Sequence, residues 1–392
     1  MISLGEKPLT GRDRGLTTAL VGLLGEDPPP PFAVRRFRPL PTFSYASGDL
    51  HTGAPGERGF GPHVDQTNYS VVVAEKVVVK WLTPPAPLPH PAPELLAHLV
   101  EAGFNDTAPP YAALTAELDG RDHLLALVTG YLPGARDGWE WCVDEAASPE
   151  RAGATAFATP LGRLAADLHL ALATLPPPPG GAGPDLAERG AGALAQALEL
   201  TGGDDGEWLA TRSAALRRDL APLDVSATGP RIRIHGDLHV GQILRWEGGY
   251  AVIDFDGNPT VAGADPYQPA ARDVAQLTTS LEHVAQVAIR RRSTPPAEAA
   301  AWAAAARAAL LSAYRARLAE RGRPDLLDDR LIRPFEVEQE CRELIYAARH
   351  LPRWRYAPMG VLRTWYPEEN PEQDPEQDPE QNFEQDPEEN DA

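Results

Sequence analysis

Two short apolar segments, 231–234 and 250–253, run directly into acidic turns, and this pairing constrains the chain more than any other feature. The first continues as Ile234-His-Gly-Asp-Leu-His-Val-Gly-Gln242, the second as Ile253-Asp-Phe-Asp-Gly257. Each reads as a strand that hands over to carboxylates, so Asp237, Asp254 and Asp256 are expected to emerge at one edge. His235, Asp237 and Gln242 occupy the spacing of an H-x-D-x-x-x-x-N loop, with glutamine where asparagine is usual. Such a loop sets a carboxylate beside a phosphate acceptor and a carboxamide on a metal ion, while a later strand-end aspartate supplies a second ligand. Either half alone is a weak signal. Together they point to phosphoryl transfer.

The residue types fit that chemistry. Moving the γ-phosphoryl of ATP takes positioning and charge neutralisation more than covalent help. Mg²⁺ is a hard ion that takes carboxylate and carboxamide oxygens. Gln242 and Asp254, with Asp256 as a further ligand, are the candidates for holding it. Asp237 is the candidate for accepting or orienting the proton of the attacking hydroxyl, and so for touching the acceptor. His235 reads as a support for the loop, and His239 as structural.

An earlier stretch completes the set. Residues 69–73 and 77–81 are β-branched runs on either side of Ala74-Glu75-Lys76, the pattern of a hairpin. Lys80 lies between apolar neighbours on the second run, and only three of the 36 basic residues (Lys7, Lys76 and Lys80) are lysines. It is expected to contact the phosphates of ATP, with Glu94, at the start of the helix expected over 94–103, as its partner. Val128, on the apolar strand 123–131, is a third candidate for nucleotide contact. No G-x-G-x-x-G precedes the hairpin, so residues 63–68 are expected to cover the phosphates.

Composition narrows the rest. A chain of 392 residues that is 43% hydrophobic can bury a sizeable core. Residues 366–392 hold 12 acidic and no basic side chains; of the net charge of −20, this leaves only −8 on the remainder. No sustained basic patch exists, which sets nucleic-acid binding aside. Neither a 20-residue apolar run nor a signal core is found, so a cytoplasmic protein without membrane attachment is expected, acting as a monomer. Two cysteines are too few for a disulfide framework. The tail repeats acidic tetrads such as PEQD and is expected to be disordered and dispensable for turnover.

Helical spacing recurs at 161–175, 185–200, 207–220, 271–291, 297–321 and 333–350, so a sheet-rich lobe precedes a helical one. With what the family resemblance described next implies, the expected division is a cap at 1–60, an ATP-binding lobe at 61–131, a helical catalytic and sugar-binding lobe at 132–365, and the tail at 366–392.

With these residues in place, the chain resembles the aminoglycoside-phosphotransferase-like kinases, and among them the maltokinase branch and the related actinobacterial glucosamine kinases. The resemblance is carried by NYSVVVAEKVVVKW (68–81), LPGARDGW (132–139), IHGDLHVGQILR (234–245), VIDFDGNP (252–259) and FEVEQECRELIY (335–346). It extends over roughly 30–365 and implies an α+β, bilobal, eukaryotic-protein-kinase-like fold with an N-terminal cap subdomain. Two departures from maltokinases stand out: Asp254-Phe-Asp-Gly-Asn258 in place of Asp-Phe-Glu-Gly-Glu, and the acid at Glu340. Glu336, Glu338, Glu340 and Glu343 load one helix beside the acceptor pocket, which suits an ammonium group better than a neutral disaccharide. Trp354 would wall the sugar, with Arg353 and Arg355 nearby. The expected reaction is phosphorylation of D-glucosamine at its 6-hydroxyl. Maltose, an aminoglycoside and a non-catalytic nucleotide-binding role remain open.

Overall fold

A computed structural model of the chain describes residues 3–4, 7–8, 15–41, 56–59, 68–148, 155–177, 185–224, 229–258 and 265–367. Two dipeptide strands, β1 (Ser3–Leu4) and β2 (Lys7–Pro8), pair with each other. After helix α1 (Leu16–Leu23) come β3 (Phe32–Arg36), β4 (Glu57–Gly59), β5 (Tyr69–Val73) and β6 (Val77–Pro87). Helix α2 (Pro91–Glu101), β7 (Pro110–Leu118) and β8 (Arg121–Gly130) complete the N-terminal lobe. Strands β3 to β8 form one antiparallel sheet in the order β3-β7-β8-β6-β5-β4.

The β5–β6 hairpin forms as its valine runs predict, with Val71 opposite Val79 and Val72 opposite Val78. Ala74 and Glu75 close it at φ 53° and 51°, the twist that suits a tight hairpin turn. Because side chains alternate along a strand, the sheet has two unlike faces. Val71, Val79, Trp81, Leu114 and Val128 pack on one face with Leu20 and Val21 of α1. Leu82, Leu124 and Leu127 join the larger core on the other face, with Leu95 and Leu99 of α2. Lys80 stands opposite Leu127 and Ser70, on this second face.

Strands β3 and β4, from the span 1–60 expected as a cap, are the edge strands of the lobe's own sheet. The segment 110–118 was not foreseen as a strand, because alanine has little strand preference. It lies inside the sheet, where Ala112 and Ala113 are fully buried, so burial on both faces overrides propensity.

The C-terminal lobe contains α3 (Gly138–Ala146), α4 (Ala158–Leu172), α5 (Leu186–Leu200) and α6 (Asp204–Leu220). Two small ribbons follow: β9 (Arg231–Arg233) pairs with β12 (Tyr267–Pro269), and β10 (Ile243–Trp246) with β11 (Gly249–Val252). Long helices α7 (Ala271–Arg292), α8 (Pro296–Glu320) and α9 (Ile332–Arg349) and the shorter α10 (Tyr356–Trp365) complete it. Buried along most of its length, α7 forms the axis of the lobe, and its last turn carries Arg290, Arg291 and Arg292, which suit the negative end of the helix. Thr107 Oγ1 donates to the carbonyl of Val252 at 2.7 Å, tying the two lobes together. Cys142 and Cys341 are free and buried. Among the described residues no helix is long and apolar enough to cross a membrane. Residues 63–67 and 368–392 lie outside the described residues, and with them nearly all of the expected phosphate cover and tail.

Candidate active site

Between β9 and β10 the chain makes the loop that carries Asp237, and a buried aspartate from a distant helix holds it. Asp273, in the first turn of α7, accepts from the backbone N–H of His235 at 2.7 Å and of Gly236 at 2.9 Å. Its Oδ2 also meets His169 Nε2 at 3.2 Å, and His169 Nδ1 lies 2.7 Å from the Tyr314 hydroxyl. Burial raises the Asp273 carboxyl, but its bond to His169, with His235 and the backbone N–H of Gly236 adding to it, outweighs that and leaves it below the usual range. His235 supports the loop, as expected. Its Nε2 faces the carbonyl of Ile253 at 3.0 Å and its Nδ1 accepts from the N–H of Asp237, a pattern that requires the neutral Nε2–H tautomer.

Asp237 is held asymmetrically. Gln276 Nε2 and Asn258 Nδ2 both donate to Oδ1, at 2.7 and 3.1 Å. Among the described residues Oδ2 has only His239 Nε2 nearby, at 3.8 Å, beyond hydrogen-bond reach. Two amides thus saturate one oxygen and leave the other free to accept a proton. Burial raises the Asp237 carboxyl above the ordinary carboxylate range, with His239 and Gln276 pulling the other way. A raised value makes a better base near neutral pH. The loop is packed from behind by α3, where a Cβ on Gly138 would come within 1.7 Å of the Val240 carbonyl oxygen.

The second acidic turn meets Lys80 across the cleft. Its Nζ lies 2.7 Å from Asp254 Oδ1 and 2.6 Å from Asp256 Oδ2, joining residues 174 and 176 positions apart. Asp254 adopts φ 64°, a left-handed conformation that aspartate tolerates better than most residues and that turns its side chain out of the β11 line. Burial raises the Asp254 carboxyl, but the Lys80 ammonium outweighs this and holds it below its ordinary value. Burial pulls Lys80 down while both aspartates push it up, and it ends above its ordinary value. Gln242 adjoins this turn, since the N–H of Ile253 donates to its carbonyl at 2.9 Å. Asp256 Oδ1 is buried without a hydrogen-bond partner among the described residues. An acceptor oxygen left unmade in this way, beside an ionised carboxylate and next to the Gln242 backbone, fits a hard cation such as Mg²⁺. Among the described residues no three His, Cys, Asp or Glu side chains group as a metal cage.

Comparison with known proteins agrees with this geometry. The model of the phosphotransferase enzyme family matches residues 58–257, the span from β4 to the Asp256 turn. A glucosamine kinase of Streptacidiphilus jiangxiensis is 44% identical over 338 residues, covering 82% of this chain and 76% of that one. A second, from Mycolicibacterium smegmatis, is 38% identical over 321 residues, 79% of each chain. The chain belongs to the phosphotransferase enzyme family. Among solved structures, a glucosamine kinase in complex with glucosamine, ADP and inorganic phosphate superposes with a TM-score of 0.71 at 38% identity, over 90% of this chain and 84% of that one.

Against this phosphotransferase fold, several expected site residues take other places. Glu94 does not pair with Lys80. It is exposed in the first turn of α2, within electrostatic reach of Arg233 and Tyr267, because the approach of the Asp254 turn supplies Lys80 with two nearer carboxylates. The Val128 side chain is on the opposite face of the sheet from Lys80, 1% exposed in the core shared with α1. Leu127 and Thr129, one residue to either side, share the Lys80 face.

The acids of α9 are largely taken. Glu336 is 2% exposed and accepts from Arg307 at 2.8 Å and from the Thr278 hydroxyl at 2.7 Å. Glu338 is fully buried between Arg272, at 2.7 Å, and Arg342. Neither is free to hold an amine. Glu340, also fully buried, bonds His283 Nε2 at 3.0 Å and leaves Oε1 without a partner. Burial pushes its carboxyl up to about 7, against the pull of His283. The Trp354 indole donates to Glu343 at 2.7 Å, and its ring meets Trp139 and His283 at 5.9 and 5.6 Å.

The sequence reading assigned no role to Asp273, Gln276, Asn258 or Trp139. Trp139 joins His239 of the catalytic loop to Trp354, at 5.8 and 5.9 Å, and so continues the aromatic wall toward Asp237. Asn258 lies in the VIDFDGNP stretch already singled out, and Asp273 is an acid at a helix start. These two carried a legible signal. Gln276 carried none.

Proposed function

We propose that this chain is an ATP- and Mg²⁺-dependent kinase that converts D-glucosamine to glucosamine 6-phosphate. The observation that carries the reading is the Lys80–Asp254–Asp256 cluster facing a half-saturated Asp237, in a chain 38% identical to the glucosamine kinase solved with glucosamine, ADP and inorganic phosphate. In the proposed reaction the acceptor hydroxyl donates to Asp237 Oδ2, which takes its proton as the oxygen bonds to the γ-phosphorus. The bond from the γ-phosphorus to the bridging oxygen breaks, and ADP leaves with that electron pair. Lys80 stabilises phosphate charge with its ammonium. Mg²⁺, held by Asp254, Asp256 and Gln242, would supply further neutralisation of the phosphate oxygens.

The amine reading rests on the acids around His283. Glu282, Glu340 and Glu343 all act electrostatically on this histidine, whose ring touches Trp354. Burial pushes Glu282 up to about 7, with Glu336 adding to it. Negative charge crowded beside the aromatic wall favours an ammonium-bearing sugar over a neutral one. A desolvated amine–carboxylate contact is worth about 1.5–3 kcal/mol, or roughly ten- to a hundredfold.

A coupled ADP-release assay over glucosamine, glucose, N-acetylglucosamine, maltose and an aminoglycoside tests the proposal. Glucosamine is expected to exceed the glucose and N-acetylglucosamine values of kcat/KM by about tenfold or more. Maltose as the best acceptor would overturn the amine reading in favour of maltokinase activity. ATP binding with no turnover on any acceptor would mark a non-catalytic protein.

A further inference from the structure

At the far end of α7 lies a cavity of about 350 Å³ that the proposed reaction does not use. It is lined by Arg290, Arg353, Arg355 and Arg363, with Asp205 as its one carboxylate. It is not the acceptor site. Gln276, which bonds Asp237, and Arg290 are 14 residues apart on α7. At 1.5 Å per residue this is about 21 Å.

The cavity gathers more guanidiniums per carboxylate than the arginine pairs elsewhere. Arg307 meets Glu336 and Arg315 meets Asp329 singly, while Arg136 and Arg292 share Asp144. Here Arg355 and Arg363 share Asp205, at 3.8 and 3.0 Å. Arg290 lies over the Tyr356 ring, 4.7 Å from its centroid, rather than against an acid. Among the described residues, four guanidiniums around one aspartate leave an excess of three positive charges, in a chain whose net charge is −20. A concave site lined by one sign of charge concentrates ligands of the other sign.

We propose that this cavity is a second ligand site, taking a phosphomonoester of a small polar molecule the size of a hexose phosphate. The guanidinium fork matches phosphate oxygens in pairs, which a lysine would not. Pro352, Tyr356 and Met359 supply an apolar wall for the carbon skeleton. The volume is that of a small-metabolite pocket. The site is also coupled to the acceptor wall. Pro352 and Arg353 line the cavity, while Trp354, the next residue of the same 3₁₀ turn (Pro352–Trp354), packs against Trp139 and His283. A ligand gripping this turn therefore bears directly on the position of Trp354.

The test is calorimetric titration of the full chain, without nucleotide, with glucose 6-phosphate and with inorganic phosphate. The Arg290→Ala/Arg363→Ala double variant serves as control, its fold checked by melting temperature. Both arginines are exposed, so the variant is expected to fold. Glucose 6-phosphate should bind the native chain at least about tenfold more tightly than this variant, with Arg290→Lys/Arg363→Lys in between. Equal affinity in the native chain and the alanine variant would overturn the site. Inorganic phosphate binding as tightly as glucose 6-phosphate would mean an adventitious ion only. Glucose 6-phosphate should also change the KM for the acceptor in the native chain and not in the alanine variant; an unchanged KM would overturn the coupling. Binding is read without turnover, so its failure leaves the kinase reading standing, and failure of the kinase reading leaves the binding result interpretable.

Discussion

Asp237, Asp254 and Asp256 at the strand ends and Glu336, Glu338 and Glu340 on α9 are two acidic triplets of one lobe, and the fold neutralises them differently. The strand-end acids share a single lysine and two side-chain amides, and among the described residues neither Asp237 Oδ2 nor Asp256 Oδ1 has a hydrogen bond. The α9 acids are deeper, and two of the three are saturated by guanidiniums from α7, α8 and α9 itself. A carboxylate that stabilises the fold needs every lone pair matched, because burial makes an unmatched charge costly. One reserved for proton transfer or a metal must keep an oxygen open at the cleft. Glu340 stands between the two groups, paired with His283 on one side and unpaired on the other.

The largest expected effect breaks the comparison at its catalytic end. Asp237→Asn should lower kcat by about 10²- to 10⁴-fold, with the melting temperature preserved, because it removes the proton acceptor but keeps the shape. Near-native turnover would show that Asp237 only positions the acceptor. The opposite test is Glu338→Ala, which leaves Arg272 and Arg342 without their shared carboxylate. A loss of about 3–5 kcal/mol in denaturant unfolding is expected, with acceptor KM unchanged in the folded fraction. A raised KM at full stability would return Glu338 to the sugar site.

Gln276→Ala sharpens the distinction within the cleft. The amide stabilises the charged form of Asp237, so its loss should raise the Asp237 pKa further and move the acidic limb of the kcat/KM profile to higher pH. A limb that does not move would show that Gln276 has no hold on the carboxylate. The smallest effect concerns Glu340. Burial alone would push His283 down, but the Glu340 carboxylate outweighs it and takes His283 to about 9. The free-histidine value is about 6.5, so the folded state holds this proton more tightly than the unfolded chain. That stabilisation is full below about pH 6.5 and is lost as pH rises through about 9. Glu340, raised to about 7, adds its own decline from about pH 4.5 upward. Glu340→Gln should therefore flatten the fall of melting temperature across this range.

Local patterns were enough for the parts of this protein that depend on neighbours along the chain. Valine runs around Ala74 specify the hairpin and put Lys80 on it, and apolar strands ending in acids mark the loops of Asp237 and Asp254. Helical spacing located α4 to α9 to within a few residues. Where a single residue of register decides, local pattern does not choose: Val128 and Leu127 are neighbours, yet alternation sends one to the α1 core and the other to the Lys80 face. Only the tertiary structure decided which charge meets which. Lys80 chose Asp254 and Asp256 over Glu94, Asp237 drew Gln276 from 39 residues away, and α9 found Arg272 and Arg307 on two other helices. Periodicity encodes which face of an element is buried. It carries no information on the distance between elements far apart in sequence, and that distance is what the electrostatics of the site depend on.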